Sequence, residues 1–587
     1  MNAERLLEVY EQISEAPDAI ARLRRFVLDL AVRGKLVEPI LTEGNGAELA
    51  RLIAADKAEK EKAGLIKPAK APKGATREIG LEIPEHWHAL LMVDVLDELQ
   101  TGPFGSSLKK SDYAVGGVPV INPASIVNEA IRPVAEMAVG ANTLDRLASF
   151  KLQRGDIVMA RRGEMGRCAL VDETEAGWLC GTGSLILRPS KLLFAKYLVL
   201  LIGSPYSRHY LAGSAVGATM QNLNQSILLS LPIGLPPEPE QHRIVAKVDE
   251  LMALCDRLEE VRTTREEVRD KLTAASLACL TAPDTSPENF AAHARFALEA
   301  LPPLTTRPDQ IKTLRQTILN LAVHGKLVEQ DPADEPASQL VKRIEDQREE
   351  YLAADYPNPS EAKTQRKKQK QQIVPPGLPA LPDGWCWTTL QQSSLMVIDC
   401  KNKTAPYSDK GIRLIRTTNV RDGKMNSNDQ KFVTEATYEA WSLRGKPQPG
   451  DILITREAPM GEVCIIPEGE KICLGQRMML ARLVPDTIDP RFMLYSLRDP
   501  NLMERVQDKP LGMTVQHLRV GGVETLLVAL PPLSEQHRIV AKLDALMNLC
   551  DQLEAALTTT DTTRTRLLEA LLKEALEPAS EVLEAAE

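Results

Sequence analysis

From Glu240 onward the apolar residues Ile244, Val248, Leu251, Cys255 and Leu258 step by four, three, four and three, with charged residues between them. That spacing is the narrow seam of a coiled-coil helix. Pro239 lies where a first-turn proline is tolerated and Pro283 closes the run, so the pattern predicts one helix over about 239–281. At 1.5 Å per residue such a helix is roughly 65 Å long. The seam returns as Ile539, Leu543, Leu546, Cys550, Leu553 and Leu557, predicting a second helix over about 534–577. Two helices of matching length and seam are expected to pack on each other as one coiled coil.

The seam is one part of a longer repetition. EQHRIVAK stands at 240–247 and again at 535–542, and LAV-x-GKLVE stands at 30–38 and again at 321–329. Between these anchors Gly155-Asp156-Ile157 answers to Gly450-Asp451-Ile452, and Met165-Gly166 to Met460-Gly461. Gly217, Thr219, Gln221 and Leu223 answer to Gly512, Thr514, Gln516 and Leu518. A period of roughly 290 residues is too long for a solenoid unit and marks a duplicated multi-element module. Leu23–Val32 and Leu314–Val323 read as helices closed by Gly34 and Gly325 as left-handed C-caps. Polar helices follow near 46–63 and 337–354, then basic, proline-bearing linkers at Lys67–Lys73 and Lys363–Pro376. The run Arg366-Lys367-Lys368-Gln369-Lys370 reads as a solvated linker able to touch phosphate.

The inserts at 80–235 and 380–530 have a different texture. Short β-branched runs (Val118–Ile121, Asp156–Ala160, Ile412–Ile415, Asp451–Thr455, Leu526–Leu530) are punctuated by Gly, Pro and Asn. Tyr197–Leu201 and Phe492–Leu497 read as amphipathic helix. The fold class is therefore α/β, with two mixed α/β domains joined by long helices in an internal pseudo-two-fold repeat. The expected divisions are a helical region 1–79, the insert 80–235, a long helix 236–284, a central helical region and linker 285–379, the insert 380–530, and a long helix with tail 531–587. Trp87 and Trp385, near the start of the inserts in Pro-Glu-x-Trp and Pro-Asp-x-Trp contexts, are expected as packing anchors.

Composition narrows the chemistry. Hydrophobic content of 43% and charged content of 26% in 587 residues are ordinary for a globular protein of several domains. No apolar run approaches the ~20 residues of a membrane span, and residues 1–24 do not resemble a signal peptide, so no membrane and a cytoplasmic setting are expected. The nine cysteines are scattered with no CxxC pair, which predicts neither disulfides nor a zinc site; Cys255 and Cys550, at equivalent positions, read as small buried hydrophobes. The net charge of −9 argues against nucleic-acid affinity of the chain as a whole, but local basic faces bind phosphate. Residues 100–232 carry about +4 (13 Lys and Arg against 9 Asp and Glu) and residues 396–530 about +2 (19 against 17). There is no GxxxxGK[ST] loop, no dinucleotide fingerprint among Gly102, Gly105, Gly116 and Gly117, and no Asp/Asn-Pro-Pro-Tyr/Phe tetrapeptide. His242 and His537 have no nucleophile or carboxylate in a recognisable motif and are expected to serve a helix face. The chain reads as non-catalytic.

Four phrases, each present twice in the same order, carry a family likeness: Leu-Pro-Pro-(x)3-Gln-His-Arg-Ile-Val, Gly-Asp-Ile…Met-Gly, Gly-x-Thr-x-Gln-x-Leu and LAVxGKLVE. Over essentially the whole chain the sequence resembles the specificity subunits of type I restriction–modification systems. The resemblance implies that each insert is a target recognition domain and that the long helices form an antiparallel coiled coil spacing the two domains along double-stranded DNA. It implies two modification subunits, which bind S-adenosylmethionine and methylate adenine N6, and restriction subunits that use ATP and Mg2+ to translocate and cleave. No cofactor or metal is expected in this chain. The alternative is a coiled-coil adaptor whose inserts bind proteins; a recognition module of a fused methyltransferase–nuclease ranks below both.

Base readout uses Arg or Lys for guanine, Asn or Gln for adenine, and hydroxyls more permissively, displayed on loops. In the first insert the Gly-rich loop 101–110 offers Ser106, Ser107, Lys109 and Lys110. Asn122, Arg161, Arg162, Gln221 and Asn222 complete that set. The second insert offers Lys401, Lys403, Arg416, Thr417, Asn419, Arg456, Gln516 and His517, with Glu457 beside them. Arg161 and Arg456 are equivalent by position, which fits DNA contact or a scaffold salt bridge with Asp156 and Asp451. The different settings of the lysines predict two unlike half-sites. Half-sites read from one face lie about one helical turn, roughly 34–36 Å, apart. Inserting four residues after Glu259, with a matching insertion after Glu554, is expected to move the domains by about 6 Å. The unspecified gap then lengthens by about two base pairs at ~3.4 Å each. A methylated motif whose gap is unchanged would exclude the ruler.

Overall fold

The two seams become two helices of 44 residues, Glu238–Thr281 and Leu533–Leu576. The computed structural model describes residues 15–67, 69–213, 223–281, 287–354, 356, 358–401, 403–499, 505–507 and 517–576. They fall into two compact units, Met1–Arg265 with Asp561–Glu587, and Glu266–Thr560, so each long helix starts in one unit and ends in the other.

In the first unit the clamp helix Ala19–Val32 stops at Gly34, whose φ of +66° is the left-handed conformation expected of a C-cap. A Cβ there would lie 2.4 Å from Pro84 Cγ, so the position needs glycine for space as well as for conformation. The second unit repeats this at Gly325 (φ +67°), which follows the helix Pro308–Val323 and would meet Pro382 Cγ at 2.5 Å. Each proline turns the chain into a buried tryptophan. Trp87 Nε1 donates to Glu240 Oε1 at 3.0 Å, and Trp385 Nε1 donates to Glu535 Oε2 at 2.9 Å. The glutamines that follow are buried too. Gln241 Nε2 donates to the Pro236 carbonyl at 3.0 Å while its Oε1 accepts from Phe194 N at 3.0 Å. Gln536 does the same with Pro531 and Asp489 N, both at 3.0 Å. Arg243 reaches Glu43 at 2.6 Å and Arg538 reaches Asp334 at 2.8 Å. The repeated EQHR tetrad is thus a joint that ties clamp region, recognition domain and long helix together. His242 serves the helix face, stacked on Phe194 with ring centroids 3.8 Å apart.

The clamp helices also grip the long helices electrostatically. Arg24 spans Asp256 and Glu259 at 2.7 and 2.6 Å, and Arg315 spans Asp551 and Glu554 at 2.6 and 2.8 Å. The ends of the long helices are covered within each unit as well. Leu568, Leu571 and Leu572 pack with Ala16 and Ala19 in the first unit, and Leu277 and Leu280 pack with Ala297 and Leu321 in the second.

Each recognition domain holds a four-stranded antiparallel sheet. In the first domain its order is Leu96–Thr101, Ser184–Pro189, Ile157–Ala160, Cys168–Leu170; in the second it is Met396–Asp399, Met478–Arg482, Ile452–Thr455, Val463–Ile465. A three-stranded sheet follows in both, with one parallel pair (Val120 beside Leu179, Arg413 beside Ile472). The chain enters and leaves each domain on one antiparallel ladder, His88–Leu91 with Pro232–Leu235 and Cys386–Thr389 with Leu527–Leu530. The helices Ala195–Gly203 and Pro490–Leu497 cover the sheets, but the first is not the amphipathic helix expected from sequence: Tyr197–Leu201 is buried on every side, so its apolar run is continuous and not a stripe.

Two expectations are corrected. The seam is not spent wholly on helix pairing. Ile244 and Val248, with Leu251, belong to the first domain's core; Ile539, Leu543 and Cys550, with Leu546, belong to the second's. Cys255 is buried beside Arg24, whereas Leu258 and Leu553 stay 40% and 37% exposed. A heptad stripe specifies an apolar line and not its partner, and the first turns are claimed by the nearer domain. The basic run at 366–370 is not a linker either: it closes the helix Pro359–Lys370, with Arg366 on Glu349 at 2.9 Å and Lys368 on Glu524 at 2.7 Å.

The Trp–Glu contact predicts a pH-dependent stability. Burial pushes the Glu535 carboxyl above its ordinary value of 4.5, although the Trp385 bond pulls the other way. Its second oxygen is buried with no hydrogen-bond partner among the described residues. Folding therefore disfavours the charged form relative to the same carboxyl in water. The stability it contributes is full below about pH 4.5 and fades as pH rises through the raised native value. Glu535→Gln keeps an acceptor for the indole and is expected to raise the melting temperature of the second unit at pH 8 more than at pH 5. Trp385→Phe is expected to lower stability by about 1–3 kcal/mol, because the carboxylate loses its donor. Thermal melts at the two pH values read both effects.

Candidate nucleic-acid interface

The loops that leave the recognition sheets converge at one end of each domain, and the two domains build that end alike. Arg161 follows the strand Ile157–Ala160. Its N–H donates to Gly183 O at 2.9 Å, its carbonyl accepts from Leu223 N at 3.0 Å, and its Nε donates to Leu223 O at 3.1 Å. Arg456 follows Ile452–Thr455 and makes the same three bonds, to Arg477 O at 3.0 Å, from Leu518 N at 2.9 Å and to Leu518 O at 2.9 Å. These arginines fasten the segment that returns to the last helix of the domain. They do not form the scaffold salt bridges considered from sequence, because Asp156 pairs with Arg188 at 3.3 Å and Asp451 with Arg482 at 2.7 Å. Burial raises both carboxyls above their ordinary values while the arginines oppose it.

Around this shared tether the side chains differ. In the first domain Asn122 follows the strand Tyr113–Ile121 and faces Gly181, where a Cβ would stand 2.2 Å from Asn122 Oδ1. Gly102 approaches Gly181 O as closely, so three backbone segments meet where no side chain fits. Gln225 Nε2 donates to Thr101 Oγ1 at 2.9 Å at the root of the loop 101–110. In that loop Ser106, Lys109 and Lys110 are exposed and Ser107 is half-buried. Lys109 N donates to Asp112 Oδ2 at 2.7 Å, a bond that with Arg146 holds the Asp112 carboxyl below its ordinary value. Arg162 is exposed beside Arg161.

In the second domain Arg416 stands at the place of Asn122, and its Nη2 reaches the Asp429 carbonyl at 2.6 Å and carboxylate at 2.8 Å. Lys401 and Lys403 are exposed, the former with its ammonium 4.2 Å from the Trp441 ring centroid. Thr417 and His517 are half-buried. Asn419 is a correction: it is 1% exposed, accepts from Arg416 N at 3.1 Å and donates to Asn428 O at 2.8 Å, so it shapes the loop from inside. Gln221, Asn222 and Gln516 lie outside the described residues. Sequence reasoning passed over Arg477 and Gln476, which accompany Glu457 at this end; aligning the halves beyond their shared phrases would have shown Gly183 opposite Arg477. Among the described residues no group of His, Cys, Asp and Glu is placed to hold a metal ion, and no helix is long and apolar enough to cross a membrane. All nine cysteines are free thiols.

Residues 98–268 and 403–560, together more than half of the chain, match the family described as the type I restriction modification DNA specificity domain. The chain belongs to this family. Each matched stretch contains one loop cluster and the start of one long helix. Among similar proteins, the type I restriction enzyme EcoAI and EcoEI specificity subunits of Escherichia coli are each 28% identical over 588 residues, covering 95% of this chain and 94% of theirs. The EcoKI specificity subunit of Escherichia coli strain K12 is 23% identical over 460 residues, 76% of this chain and 78% of that one. The HsdS subunit from Thermoanaerobacter tengcongensis superposes with a TM-score of 0.40 at 19% identity, over 85% of this chain and 99% of that one. A chain from a study of complex assembly and conformational transition of the type I R-M system gives 0.47 at 18%, over 87% and 100%. As a specificity subunit this chain recognises DNA sequence and is not itself an enzyme.

Two neighbours, Lys431 and Arg416, hold the Asp429 carboxyl down at about 2 from its ordinary 3.8, the Lys431 bond first. A depressed carboxyl contributes stability above its ordinary value that is lost as pH falls through about 2, so the Arg416 tether is intact throughout the neutral range. Arg416→Gln is expected to raise the Asp429 value while leaving it below 3.8, because Lys431 stays at 2.8 Å. Carboxyl titration by NMR measures the shift, and an unmoved value would show that Arg416 does not engage Asp429 in solution.

Proposed function

We propose that the recognition domains, residues 80–235 and 380–530, each read one half of a split, asymmetric DNA target, with the long helices setting the distance between them as an antiparallel coiled coil. The subunit works in the cytoplasm with two modification subunits, which bring S-adenosylmethionine and methylate adenine N6, and with restriction subunits that use ATP and Mg2+. It supplies the choice of sequence to both. The observation that carries this reading is the pair of loop clusters: one tether, Arg161 or Arg456 on Leu223 or Leu518, surrounded by unlike side chains. Phosphate contacts would come from Lys109, Lys110, Lys401 and Lys403, which fix register without reading sequence. Base edges would be met by Ser106, Ser107, Asn122, Arg162, Arg416 and Thr417, with His517 at the rim.

The test is a methylome of cells that express this chain with its modification partner, compared with cells lacking the chain. N6-methyladenine at one split motif that vanishes without the chain is the expected result. Replacing residues 80–235 by a copy of 380–530 is expected to make that motif symmetric. A motif that persists without the chain, or that survives the replacement unchanged, would overturn the reading.

A further inference from the structure

At the start of the strand Met478–Arg482 the two domains differ at one place where the backbone is special. Gly183 in the first domain has φ +85°, and Arg477 in the second has φ +67°. Both carbonyls receive the tether's N–H, from Arg161 and from Arg456, so the positions are equivalent. Glycine occupies the left-handed region freely, whereas an arginine there is strained. Strain of this kind concentrates at functional sites, and the first domain shows that the scaffold itself does not require a side chain here.

The side chain is also aimed. Arg477 Nη1 forms an ion pair with Glu457 Oε2, and Glu457 stands where the first domain has Arg162. The arginine side chain is 37% exposed and that of the glutamate 22%. Among the described residues Glu457 is its one side-chain partner, and it engages the fork through Nη1. Around it lie Gln476, whose Oε1 accepts from Thr404 Oγ1 at 3.2 Å, and Gly475, whose N–H donates to Ile415 O at 2.8 Å beside Arg416. A carboxylate that fixes an arginine fork while leaving one edge open suits the two acceptors, O6 and N7, that guanine presents in the major groove.

We infer that Arg477, oriented by Glu457, is a specificity-determining residue that reads a guanine in the half-site of the second recognition domain. This rests on the proposed reading of split targets by the two domains. Arg477 supplies the contact to the base, and Glu457 acts by positioning it.

The experiment is the methylome of the full complex carrying Arg477→Gly, Arg477→Lys or Glu457→Gln, beside the unaltered complex. Arg477→Gly suits the backbone and reproduces the first domain's residue, so the fold is retained. It is expected to relax one guanine position of the second half-site by about tenfold or more in methylation rate while the first half-site stays unchanged. Arg477→Lys is expected to relax the same position, because a point charge lacks the planar fork, and Glu457→Gln to relax it partially. Any of three results would overturn the inference: an unchanged motif with Arg477→Gly, an unchanged motif with Arg477→Lys (the mark of a phosphate contact), or changes in both half-sites together. If the unaltered complex yields no split motif, the proposed function fails before this inference is reached.

Discussion

Everything in each half hangs from a carboxylate and an amide that have been taken out of water. Glu240 and Glu535 are buried and hold an indole; Gln241 and Gln536 are buried and bridge the Pro-Pro turn to the start of the helix that covers the sheet. Polar groups in such places are costly unless paired, and here the pairing partners come from separate stretches of chain. The recognition domain can therefore dock on the long helix in one orientation only. That requirement explains why the longest identical phrase in the two halves is the one carrying these residues. The exposed loop ends face no such demand and differ freely.

The division between legible and illegible follows the same line. Helix lengths, the glycine caps and the strand runs could be read because each is set by local periodicity or by a single backbone conformation. Gly34 and Gly325 are clear cases, since the cap geometry and the contact with a proline both demand glycine. The fate of the seam could not be read, because Ile244 and Ile539 look the same whether they meet another helix or a domain core. The run at 366–370 was misplaced for a related reason. Its helix is stabilised by Asn358 capping Ser360 and Glu361 and by pairs to Glu349 and Glu524, which are tertiary facts.

At the loop clusters the sequence located the neighbourhood and missed some of its members. Arg161 and Arg456 stood out by equivalence, and their shared bonds to Leu223 and Leu518 give that equivalence a structural meaning. Asn419 carried the right chemistry but points inward. Arg477 was passed over because no shared phrase surrounds it, whereas its positive φ sets it apart among the described arginines. A duplicated scaffold separates the two duties: positions bound to the scaffold stay alike, and positions released from it can drift with the target.

The non-contiguous make-up of the first unit has a consequence for how the protein is made. The apolar surface of Ala16 and Ala19 is closed by Leu568, Leu571 and Leu572, which follow the whole of the second unit in the chain. About 300 residues of the second unit must be translated between the two pieces, which at 5–20 residues per second takes about 15–60 s. Through that interval the nascent first unit presents an uncovered hydrophobic helix face, the kind of surface on which chaperones act. Closure of this helix face thus waits until the whole second unit has been made, and a message broken within that unit leaves the face without its cover.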